Sequence, residues 1–90
     1  MVDATLIADV GRALWGEAWK GPMAEAVRHQ KSAVTEWARG RSPVPAGVWS
    51  ELRALVRQRR RELDSLVPRV QRMHDDALER TVEQTRVRPV

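Results

Sequence analysis

The stretch EAVRHQKSAVTEWARGRSPVP, residues 25–45, constrains this chain more than any other. It holds two short helix-like pieces split by a polar joint, then a basic stop containing Gly40, Pro43 and Pro45. Proline lacks the amide a helix interior needs, so no helix resumes at once after Gly40. Helices this short must be pinned from behind. Val34 and Trp37 have the spacing to do that, which turns Lys31, Ser32, Thr35, Glu36 and Arg39 outward.

The remaining sequence is also helical. No run alternates as a strand would, and Ala, Leu, Arg and Glu dominate. Asp3 caps a first helix over about 4–15, with Leu6, Val10, Ala13 and Leu14 on its apolar side. WGEAWKGP interrupts, and Gly21-Pro22 reads as the joint. A second helix over about 22–28 buries Met23, Ala26 and Val27, with Ala24 where the helices cross. A third spans about 31–39, and a fourth starts near Pro45 or Ala46. The fold expected is all-α, a compact helix-turn-helix domain of four to five helices with a helical C-terminal extension. Residues 1–47 form its N-terminal part. Residues 48–85 complete the core and dimerise, and 86–90 fray.

The second half carries a 3-4 apolar spacing through Trp49, Leu52, Val56, Leu63, Leu66, Val70, Met73 and Ala77, interrupted by Arg59. Such spacing marks a seam between helices or subunits. Pro68 lies inside it and predicts either a break near Val67 or a kink that keeps the apolar phase, with a separate short helix over about 69–85 as the favoured outcome.

Composition narrows the function. With 90 residues the chain suits one small domain that a partner subunit would steady. It has no cysteine, and its two histidines are far apart, so neither disulfide nor metal site is expected. No cofactor is implied. No apolar run is long enough for a bilayer, and the N-terminus does not read as a signal peptide, which places the chain in the cytoplasm. Catalytic constellations are missing, so an enzyme is not expected. Sixteen basic residues against twelve acidic ones give a net charge of +4, a balance that fits a nucleic-acid partner.

Two short helices with a tight turn form a helix-turn-helix, whose second helix fits the DNA major groove. Gln30, Lys31, Ser32, Thr35 and Glu36 are the candidates for base edges, and Arg28, Arg39 and Arg41 for phosphates. Met23, Ala24, Val27, Val34 and Trp37 form the core of the motif. The arginines of RQRRR, residues 57–61, spread around their helix and suit surface ion pairs better than a phosphate patch.

MAEAVRHQKSAVTEWARGRSPVP resembles the helix-turn-helix of the Cro and lambda-repressor-like superfamily, and the likeness extends over about residues 10–67. It implies a small bacterial or phage regulator that binds double-stranded DNA. The chain departs from the pattern in the turn. Arg28 stands where glycine is usual, and His29 where a small apolar residue is usual. The expected function is a sequence-specific repressor that occludes a promoter as a homodimer on an inverted repeat. The alternative is a protein-interaction module, antitoxin-like or an adaptor, that binds another helical protein through the seam of Trp49, Leu52, Val56, Leu63, Leu66, Val70 and Met73.

Overall fold

The computed structural model describes the backbone of residues 2–87 and the side chains of residues 3–83. It is all-α, with four helices: α1 Val2–Trp15, α2 Lys20–Val27, α3 Lys31–Ala38 and α4 Ala46–Val87. Packing divides the chain into two units, one through Arg59 and one from Arg60 onward.

In the first unit α1, α2 and α3 all pack on one another. Their shared core is Ile7, Trp19, Met23, Ala24, Val27, Val34, Trp37, Val44, Val48 and Leu52, all buried. Trp15 and Trp49 pack against it from its edge. The tryptophans are therefore packing residues, and their bulk lets four short segments share one interior.

The inward side of α1 differs from the expected one. Ile7, Gly11 and Leu14 face in, whereas Leu6 and Ala13 are exposed and Val10 is half-buried. The cause is Trp19. Its indole packs against Gly11, where an added Cβ would overlap the ring, with Cγ only 2.8 Å away. A residue with no side chain thus sets the rotation of α1 about its axis. The joint also moves. Gly21 and Pro22 lie inside α2, in its first turn where the missing proline amide costs nothing. Gly16 ends α1 instead, with a φ of +80° and its N–H donated to the Arg12 carbonyl at 2.9 Å.

The second unit corrects the proline reading. There is no break at Val67 and no separate helix over 69–85, because α4 is continuous through Pro68. Proline removes one amide from the ladder, and the flanking turns retain theirs. Of the expected fray at 86–90, residues 86 and 87 are instead helical, because α4 reaches Val87, and residues 88–90 lie outside the described ones. The proposed seam is also divided. Leu52 is buried in the first unit's own core, and Trp49 packs half-buried against that core. Val56, Leu63, Leu66, Val70 and Met73 are all exposed.

Candidate nucleic-acid interface

Three residues, Arg28 to Gln30, connect α2 to α3. Arg28 is in the left-handed region, at φ 59° and ψ 44°. Its N–H donates to the Glu25 carbonyl at 3.3 Å, and the His29 N–H donates to the Ala24 carbonyl at 2.9 Å. That pair of bonds is a Schellman cap, which satisfies carbonyls otherwise orphaned at a helix end.

The same cap closes α3. The Gly40 N–H donates to the Trp37 carbonyl at 3.1 Å, and the Arg41 N–H to the Glu36 carbonyl at 3.0 Å. Here glycine holds the left-handed position, with a φ of +73°. One chain therefore builds one motif twice, with glycine in one copy and arginine in the other. Among the described residues Arg28 is the only non-glycine with positive φ.

The His29 and Trp37 rings then meet edge to face, with centroids 5.1 Å apart and planes at 67°. Aromatic edges carry positive charge and faces negative, so this contact ties the turn to α3. Gln30 is extended, at φ −80° and ψ 150°, and its carbonyl accepts the first bonds of α3 from Ala33 and Val34 at 3.0 and 3.3 Å. Its side chain does not cap the helix. It accepts a 3.4 Å bond from Ser32 Oγ instead.

Beneath this turn Met23, Ala24, Val27, Val34 and Trp37 are all buried. On the outer side Gln30, Lys31 and Ser32 are exposed, whereas Thr35 and Glu36 are half-buried. Thr35 Oγ1 donates back to the Lys31 carbonyl at 3.0 Å, which leaves it as an acceptor toward anything outside. The Glu36 carboxylate lies 3.8 Å from the Arg41 guanidinium. Of the two roles open to Glu36, accepting from a base or holding an arginine, the geometry presents the second. Arg28 and Arg39 are exposed at opposite ends of α3.

One feature escaped sequence reasoning. The chain's two lysines, Lys20 and Lys31, border one shallow depression of about 390 Å³ together with Glu17, Ala18, Gly21 and Pro22. They are eleven positions apart in sequence, and only the packing of α2 on α3 brings them to one place.

No group of three or more potential metal ligands occurs among the described residues. Among the same residues, no helix is long and apolar enough to cross a membrane. Comparison with protein-family models, with curated proteins and with solved structures found no match.

Proposed function

We propose that this chain is a sequence-specific binder of double-stranded DNA that acts as a transcriptional repressor. In this reading α2, the three-residue turn and α3 are a helix-turn-helix of the Cro and lambda-repressor-like kind, and α3 is the reading helix. One observation carries it: Val34 and Trp37 are buried while Lys31 and Ser32 are exposed on the same short helix. A helix anchored on one side with donors on the other suits a major groove.

Lys31 donates to guanine acceptors, and Ser32 and Gln30 reach neighbouring base edges. Thr35 offers its remaining lone pairs. Arg28, Arg39 and Lys20 contact phosphates, which set register without reading sequence. Arg41 contributes less, because Glu36 already offsets its charge. A reading helix this short covers few base pairs, so a homodimer on an inverted repeat completes the site and occludes a promoter.

Selection from random duplex DNA tests the reading. The expected product is palindromic, and its affinity falls steeply with added salt as phosphate contacts release counterions. Lys31→Ala combined with Ser32→Ala abolishes preference for the selected sequence without changing thermal stability. Recovery of no sequence above background refutes the reading.

A further inference from the structure

From Arg60 onward, one side of α4 presents apolar residues to solvent. Leu63, Leu66, Val70 and Met73 are 54%, 41%, 66% and 60% exposed. Leu66, Val70 and Met73 line a hollow of about 450 Å³ with Arg69 and Arg72 at its rim. A single helix cannot cover this stripe itself. Pro68 sits at the heptad position farthest from the stripe, where a partner does not touch it.

We infer that the occupant is the same segment of a second copy, running antiparallel. The inference rests on the homodimer in the reading above and not on any contact with DNA. Charge along the edge of the stripe supports it. Arg69 and Asp76 stand one heptad apart on the same flank, about 10 Å along the helix. Neither forms an ion pair with another described residue. They are too far apart to meet within one chain. A second copy running the other way reverses the edge and sets each opposite its complement.

The register follows. Val70 packs against Met73 of the second copy, and Leu66 against its Ala77, a large residue against a small one. Arg69 then faces Asp76 of the second copy, and two-fold symmetry repeats the pair. Leu63 meets Arg80 of the second copy, whose guanidinium lies between Glu62 and that copy's Glu83 and separates two carboxylates. Sliding one copy by a heptad toward the N-terminus would set Ala77 against Arg59, Arg69 against the second copy's Arg69 and Glu62 against its Asp76, so that both flank pairs join like charges.

The parallel alternative has no such match. In-register parallel pairing sets Arg80 against Arg80, and like charges at a seam position oppose association. Among the described residues its flanking pairs are Glu62 with Val67, Arg69 with His74 and Asp76 with Thr81. None joins opposite charges.

The chain has no native cysteine, so single engineered ones report orientation cleanly. The full-length chain is weighed in solution without DNA, and then Val70→Cys protein is oxidised alone or mixed with Met73→Cys protein. A dimeric mass, with cross-linking in the mixture and little in Val70→Cys alone, is expected. Arg69→Asp weakens the dimer about tenfold or more, and adding Asp76→Arg restores it. A monomeric mass at tens of micromolar overturns the inference, as does efficient cross-linking of Val70→Cys alone. A dimer of the expected orientation that selects no DNA sequence leaves this inference standing and refutes only the operator reading.

Discussion

Replacing Arg28 by glycine stabilises the first unit. A residue with a Cβ held in the left-handed region costs about 1–2 kcal/mol, because Cβ crowds the following carbonyl. Glycine removes that cost but gives the unfolded chain more freedom, which offsets roughly 0.5–1 kcal/mol. The net gain is about 0.75 kcal/mol, or roughly 3–6 °C in Tm for a domain of this size. Nothing else in the cap changes, since its two bonds are made by backbone atoms and the Arg28 side chain is exposed. Tryptophan fluorescence is the right probe, because all four rings lie between residues 15 and 49, inside the first unit. Arg28→Ala is the control: it removes the guanidinium, keeps the Cβ, and leaves Tm near its starting value. A fall in Tm for Arg28→Gly, or an equal rise for Arg28→Ala, refutes the reasoning. The DNA reading adds a second measurement of opposite sign. Loss of the guanidinium weakens binding about equally across sequences and lowers the salt slope by about 1.

Gly11→Ala lowers Tm. Its gain in helix propensity, about 1 kcal/mol, is outweighed by an overlap with the buried Trp19 ring in the range of about 1–3 kcal/mol. Pro68→Ala restores an amide able to bond to the Asp64 carbonyl and firms α4 by up to about 3 kcal/mol. It is read as stronger ellipticity at 222 nm and slower amide exchange on either side of residue 68; no change in either would contradict a ladder interrupted there. Lys31→Ala alone costs about 1–3 kcal/mol in discrimination between the selected duplex and its single-base variants, measured by competition titration, with Tm unaltered.

Local chemistry made much of the first unit legible. Gly40, Pro43 and Pro45 announced the end of α3, and the spacing of Val34 and Trp37 gave its inward side. The glycine-like demand at Arg28 was readable only by setting that residue against a motif that normally has glycine there. What escaped depended on tertiary contact. Helical periodicity weighs side chains, so it favoured Leu6 and Val10 on α1 and was blind to Gly11, whose value lies in the room it leaves for Trp19. Pro68 was misread for the opposite reason. A strong local rule argued for a break, but one missing amide does not end a helix whose adjoining turns on both sides remain bonded. The pairing of Glu36 with Arg41 was undecidable from spacing, because the Schellman turn at Gly40 is what folds Arg41 back along α3.

Under the DNA-binding reading, stability and recognition are coupled through α3. Only Val34 and Trp37 are buried on its eight residues, and Trp37 also receives the His29 ring that fixes the turn. The strained residue lies immediately before His29, so the turn holds an inward aromatic contact and an outward charge on adjacent positions. Glycine at residue 28 would relieve the backbone and leave the aromatic contact in place, as glycine at residue 40 does for the other end of the helix. Arginine at residue 28 therefore gains nothing for the fold that the cap or the core can explain. Its benefit must be sought where its side chain points, into solvent beside the amino-terminal end of α3, and a polyanion lying along that end would supply it.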